Sequence, residues 1–319
     1  MNRAITRVFY TLKPLIPRSV QIALRRQIAK YKRKKYANVW PIDPNAGEMP
    51  PGWPGWPEGK QFALLVSHDV DTKKGQDRVL DLAALEIKLG FRSAFNFVPE
   101  RYANHKEIKA QLRANGFEIN VHGLRHDGKL FSSRKIFEQR AVRINQYLKE
   151  WGSTGFTSPS MLCRADWLHR LDITYSLSTF DTDPFEPQPD PVGKIFPFWV
   201  ANGQSSKGYV ELPYSLPQDH LLFVILKEKT IDIWKRKLDW VASCSGMALL
   251  NTHSDYMNFD RRQIFNEEYP IDFYIQFLKY VKSAYAGKYF HATPSEIAAY
   301  VKQTCPKLQP QISLNRKLI

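Results

Sequence analysis

The sequence predicts an α/β fold with parallel strands, the sheet either open or closed into a barrel. Three observations carry this. From residue 60 onward, short apolar runs alternate with longer amphipathic stretches, the pattern of successive βα units. Glycines stand where amphipathic stretches stop, at Gly90 and Gly116, as helix C-caps do. The residues with acid, base or metal-binding chemistry fall at the C-terminal tips of apolar runs, where parallel sheets build their sites.

The apolar run Phe62 to Val66, ending in His68-Asp69-Val70-Asp71, reads as the first buried strand. A helix follows over 76–89, a strand over 93–98, a helix over 106–115 and a strand over 117–121 that ends in His122. Ser132 or Ser133 caps a helix running to about Trp151. Shorter elements come next: a strand over 154–157, a helix over 164–170 and a strand over 173–176. Residues 181–220 are rich in proline and aromatics and break the alternation. They read as an insertion forming one wall of the cleft, with strands near 195–200 and 208–212. Alternation resumes with a strand over 221–226, a helix over 231–243, and a strand over 247–253 ending in His253. A helix over 270–285 and a strand over 289–292 follow. Thr293-Pro-Ser-Glu296 is a capping box with proline at the first helical position, opening a helix to about Val301. The catalytic unit is therefore placed at 60–301.

The ends differ in character. The net charge of +15 belongs to them: residues 1–40 carry eleven Lys or Arg and no acid, residues 302–319 carry four and no acid, and residues 41–301 are balanced. Residues 1–40 read as a basic helical extension, split at Pro14 and Pro17, with Ser19 capping a helix from Val20 to about Tyr36. Apolar residues against a basic face suit an anionic membrane surface, through residues 1–36. Nucleic acid competes for the same charges and ranks below it. Residues 41–59, with Trp53 and Trp56 among prolines and glycines, read as an ordered strap on the domain. Residues 302–319 read as a basic tail. No run of 18 apolar residues exists, so no helical span is expected. The apolar part of the N-terminus, Val8 to Leu12, is too short for a signal peptide. Three unpatterned cysteines, Cys163, Cys244 and Cys305, suit reduced thiols. A cytoplasmic protein, peripheral at the inner face of the cell membrane, is expected.

Two carboxylates at one strand tip, Asp69 and Asp71, cannot both be buried unpaired. Asp71 is assigned to a metal and Asp69 to a base. His122-Gly-Leu-Arg-His126 places two histidines one helical turn apart, able to share one ion. With Asp71 they form a two-His, one-carboxylate set suited to Zn²⁺, and also to Fe²⁺, Co²⁺ or Ni²⁺. His253 is a candidate general acid. One of Asp181, Asp183, Glu186 and Asp190 is expected to orient it, and Asp183 is carried forward among the catalytic candidates. Asp219-His220 is read as loop structure.

These landmarks, with Gly155-Phe-Thr-Ser-Pro159, Asp181-Thr-Asp-Pro-Phe-Glu-Pro187 and Glu211-Leu-Pro-Tyr214, resemble the polysaccharide deacetylases (NodB-homology, carbohydrate esterase family 4). The variant beginning Ser67-His-Asp-Val-Asp71, with the last two motifs, looks like a subgroup linked to bacterial surface-polysaccharide biosynthesis. The resemblance covers about residues 60–300 and implies a distorted, incomplete (β/α) barrel of the NodB-homology type. It implies Asp69 as base, Asp71, His122 and His126 as metal ligands, His253 as acid, and the backbone N–H of Ser160 as an oxyanion donor. The implied reaction is metal-dependent removal of an N-acetyl group from an amino sugar, in a glycan or a sugar precursor. Two positions depart from the pattern: Thr157 stands where an arginine usually pairs with the catalytic aspartate, and Ser160 where a tyrosine is usual. Arg125 or Arg164 is the expected substitute for that arginine. Two other readings stay open: a glycan-binding protein with impaired catalysis, and a hydrolase of a non-sugar amide.

Overall fold

A computed structural model describes residues 17–186, 190–203, 207–260 and 264–304. In chain order the elements are α1 (Arg18–Lys35), β1 (Phe62–Val70), α2 (Lys73–Leu89), β2 (Ala94–Phe97), α3 (Lys106–Ala114) and β3 (Glu118–His122). They continue with α4 (Arg134–Glu150), β4 (Gly155–Thr157), α5 (Ala165–Leu168), β5 (Tyr175–Ser176), β6 (Phe198–Ala201) and β7 (Gly208–Glu211). Then come α6 (Asp232–Ser243), β8 (Met247–His253), β9 (Met257–Asn258), β10 (Tyr269–Pro270), α7 (Ile271–Ala284), β11 (Tyr289–His291) and α8 (Pro294–Thr304).

The sheet is built on β1, whose nine residues are all buried, as a strand covered on both faces must be. One edge pairs in parallel with β8, from Ala63↔Met247 to Asp69↔His253. Because that register overlaps both other partners, β11 and β2 share the opposite edge, β11 along the first half and β2 along the second. The order then runs β2-β3-β4-β5-β7-β6, parallel except for β6 on β7. Between the segment after β7 and β8 the ring is bridged by the Ser215 and Leu216 N–H groups, which donate to the Leu249 carbonyl at 3.3 and 3.1 Å, while the Asp181 N–H ties the segment after β5 to the Tyr214 carbonyl at 2.9 Å. The result is the distorted (β/α) barrel that the sequence implies, with a seam where the insertion was expected. β7, inside that stretch, is a strand of the main sheet beside β5.

The signals at the helix ends act as physics requires. Gly90 caps α2 with φ of 78°, a left-handed conformation that glycine adopts without strain. Ser133 accepts from the Ile136 N–H at 3.3 Å at the start of α4. Glu296 reaches back to the Thr293 N–H at 2.7 Å, the expected half of the capping box. Two expectations fail. The apolar run at 221–226 is a π-helical turn, His220–Ile225, with all six side chains buried. An all-apolar run has no period to separate strand from helix. α1 begins at Arg18 with Pro17 in the cap position and no side-chain cap, so Ser19 lies inside the helix.

Trp53 and Trp56 are buried, edge to face at 4.8 Å. Trp56 stacks on Tyr300 and Trp53 packs on Phe196, so neither indole face is free to stack on a sugar. Among the described residues, neither Cys163 nor Cys244 is in a disulfide. Cys305, residues 1–16 and the tail from 305 onward lie outside the described residues, so the expectations placed on them have no structural counterpart here. Among the described residues no helix is long and apolar enough to cross a membrane.

Candidate metal and acid–base site

Strand alternation sorts the residues of the β1 tip. His68 points out of the barrel into a buried network, 2.7 Å from both Glu86 and Thr252. Asp69 points in, and Asp71 follows where the strand has ended. The Asp71 N–H is held by Asp255 at 2.9 Å, and Asp255 also takes the Thr72 hydroxyl. His122 ends β3 on the same rim. The turn after it carries Gly123 at φ 61°, where a Cβ would lie 2.5 Å from Pro159. That contact lets the histidine turn close onto the turn at 159–161, and His126 completes it at φ 53°.

Asp71, His122 and His126 converge. Asp71 Oδ1 lies 3.4 Å from His122 Nε2 and 3.2 Å from His126 Nε2, and one ligand atom from each residue lies within 4.8 Å of the others. Asp71 Oδ1 and His122 Nε2 are buried without a hydrogen-bond partner. Unpaired buried polar atoms are costly, and a cation bound at their meeting point satisfies both. Burial alone would raise the Asp71 pKa, but His126 and His122 hold it well below the usual range. Burial likewise opposes a charged His122, yet Asp69 and Asp71 raise its pKa above the ordinary value. A metal ion must displace that proton, so affinity falls as pH drops.

His122 is oriented from β4. Thr157 is its cross-strand partner, and its hydroxyl lies 2.8 Å from His122 Nδ1. The position expected to carry an arginine thus fixes the ring whose other nitrogen faces Asp71. Thr157→Val should lower metal affinity about ten- to a hundredfold, read by competition with a chelator. Unchanged affinity would remove the orienting role.

Asp69 is held by two amides, with His122 and His253 each 3.7 Å away and no arginine beside it. Its two oxygens accept from Asn96 Nδ2 at 2.8 Å and Asn251 Nδ2 at 3.0 Å. Neither expected arginine reaches it: Arg125 binds Glu100 at 2.9 Å, and Arg164 lies over the Trp167 ring. The Asn96 anchor extends across the barrel. Asn120 Nδ2 donates to Asn96 Oδ1 at 3.0 Å, and the Tyr175 hydroxyl meets both Asn120 Oδ1 and the Glu118 carboxylate. Glu118 in turn accepts from the Ser295 N–H at 3.1 Å. Asn96 pairs with Asp69 in strand register, and Asn251 stands two residues before His253 on one face of β8. Both positions were readable once strand pairing was known, and neither was readable before.

His253 Nε2 lies 3.7 Å from Asp69. Its other nitrogen is 2.7 Å from Asp219, and no residue of the expected acidic loop serves it. Asp181 pairs with Lys237. Asp183 accepts from the Phe185 N–H at 2.8 Å, Glu186 accepts from Gln218 at 3.0 Å, and Asp190 is exposed. Asp183 and Glu186 instead line a small cavity with Trp40, Pro41 and Tyr214. Burial raises their pKa values to about 7 and about 8. Asp219, read from sequence as loop structure, is fully buried and also accepts from the His253 N–H at 2.8 Å and the Tyr269 hydroxyl at 2.9 Å. Its only sequence signal was an aspartate in a proline-flanked loop.

Burial opposes a charged His253, but Asp219, Asp69 and Asp71 raise it to about 10. A folded value above the unfolded one, about 6.5, gives stability that is full below that pH. It is lost as pH rises toward 10. Asp219→Asn should flatten this slope in thermal melts and move the alkaline limb of a kcat/KM profile to lower pH by about a unit or more. A profile identical to that of the unsubstituted protein would show that Asp219 does not set the acid.

The turn after β4 carries the remaining candidate. Ser160 and Met161 adopt φ of 56° and 53°, left-handed values that strain a side chain with a Cβ. The Met161 and Leu162 N–H groups donate to Ser158 and Pro159. Among the described residues, no acceptor is found for the Ser160 N–H.

No protein-family model and no curated protein matches this chain. Solved structures match its fold. Proteins of Mycobacterium smegmatis and Pseudomonas aeruginosa PAO1, both assigned by name as polysaccharide deacetylases, each superpose with a TM-score of 0.63. They are 17% and 15% identical to it, over 82% and 84% of this chain and 96% and 99% of theirs. PuuE allantoinase superposes with a TM-score of 0.59 at 15% identity, over 84% of this chain and 99% of its own. The chain therefore has the polysaccharide deacetylase fold.

Proposed function

We propose that the chain is a metal-dependent hydrolase that removes an N-acetyl group from an amino sugar, in a glycan or glycan precursor of bacterial surface-polysaccharide metabolism. One observation carries the reading: two buried, unpartnered ligand atoms on Asp71 and His122 meet His126, with Asp69 and His253 beside them. The fold shared with proteins named as polysaccharide deacetylases supports the substrate class.

Asp71, His122 and His126 would hold the ion, with Zn²⁺ first by donor set. A divalent ion bound there polarises an amide carbonyl and acidifies water. Asp69, held by two amide donors, takes the proton of the attacking water. The Ser160 N–H donates to the oxygen that gains charge as the carbonyl becomes tetrahedral. His253, protonated and held by Asp219, delivers its proton to the leaving amine. No serine or cysteine nucleophile is required.

The test uses protein stripped of metal and re-supplied with Zn²⁺ or Co²⁺, reading acetate release from N-acetylhexosamine oligosaccharides and nucleotide sugars and, in parallel, ring opening of allantoin. Metal-dependent release from a sugar is the expected result. Turnover of allantoin with none on sugars would favour the second reading, a hydrolase of a non-sugar amide, which the likeness to an allantoinase supports.

A further inference from the structure

Helix α1 has two apolar faces and needs only one to pack. Ile22 and Ala29 are buried against the body. Val20, Leu24, Ile28 and Tyr31 are 46%, 49%, 50% and 67% exposed. At 100° per residue these four fall within about 80° of arc, roughly opposite Ile22. On the same geometry Lys30 and Lys34 border this stripe on one side and Arg25 on the other, with Lys35 at its end. All four cations are exposed, and the helix contains no acid. An apolar stripe between rows of cations matches the boundary of an anionic bilayer. A second copy of the helix would bring the same positive charge against it, and nucleic acid would leave the apolar stripe in water.

The helix is tied to one end of the barrel. Arg26 donates to the Val224 carbonyl at 3.0 Å and to Asn266 Oδ1 at 2.9 Å. Lys32 donates to the Pro184 carbonyl at 2.6 Å, and Arg33 pairs with Glu228. These partners lie in the segments after β5, β7 and β8, which form the rim that carries Asp219 and His253. Ile264 and Phe265, next to Asn266, are also exposed, at 47% and 59%. We propose that the stripe of α1 lies on an anionic lipid surface and holds this rim at the bilayer, so that the substrate is a glycan carried on a lipid. The choice of substrate rests on the hydrolase reading above, whereas the docking surface does not.

The test is co-sedimentation of the full chain with phosphatidylglycerol-containing vesicles and with phosphatidylcholine vesicles. Binding is expected only to the former, weakening with salt. Lys30→Gln with Lys34→Gln should lower it about twenty-five-fold, at about fivefold per charge. Leu24→Ser with Ile28→Ser should lower it at least tenfold. All four side chains are exposed, so the fold is spared. Wild-type protein left in the supernatant, or both double variants bound like wild type, would overturn the docking surface. The serine pair should also lose at least tenfold in acetate release from an N-acetylglucosaminyl lipid in those vesicles, with release from a soluble N-acetyl-chito-oligosaccharide unchanged. Equal release by the serine pair and wild type on both would overturn the lipid-linked substrate. No release by wild type from either, with vesicle binding intact, would overturn the hydrolase reading and leave the surface standing.

Discussion

Replacing Asp71 by asparagine is expected to lower acetate release by about a thousandfold or more, because the ion supplies several kcal/mol of barrier lowering. Asp71 Oδ1 is the only anionic oxygen among the three converging ligand atoms, and the two histidines lean on it at 3.4 and 3.2 Å. An amide keeps the shape and removes the charge, so metal affinity should fall by more than the ten- to hundredfold that outer partners usually command. Metal content after dialysis, measured beside activity, decides the matter. A variant that retains one equivalent of metal would remove Asp71 from the ligand set.

Asp69→Asn is expected to leave the metal in place and lower kcat by about 10²- to 10⁴-fold, the range for loss of a general base. The fold should also feel it. Asp69 offers two acceptor oxygens to two amide donors, Asn96 and Asn251. An asparagine offers one acceptor and one NH₂, so one donor must face another, at a cost of about 1 to 3 kcal/mol. A lower melting temperature, intact metal content and lost turnover are the expected set. Full turnover would end the assignment of Asp69 as base.

The group that could hold a metal was legible because it sits on chain features that sequence displays directly: an apolar run with a DxD tip, and a strand ending in a histidine four residues ahead of another. The groups that tune it were not. Thr157, Asn96 and Asn251 act across strand registers, and a register is a property of pairing that no local pattern encodes. Asp219 was passed over because its loop lacks a period, and the acidic loop at 181–190 was preferred for its density of carboxylates. That density has another use, since Asp181 neutralises the buried Lys237 and Asp183 ties its own turn. The π-helical turn at 220–225 was hidden for the reason that it is buried on every side. The alternation of strands and helices survived because glycines and caps mark its boundaries at Gly90, Ser133 and Thr293.

The line of side chains from Asp69 through Asn96, Asn120, Tyr175 and Glu118 to the Ser295 N–H also has a consequence in time. During synthesis the candidate base is made first, at 69, and the candidate ligands follow in the order 71, 122 and 126. Yet the line that steadies it is complete only once residue 295 has been added, near the end of the described chain. A chain cut short of residue 295 would thus keep Asp69 and its direct amide donors but lose the far end of the line that steadies them.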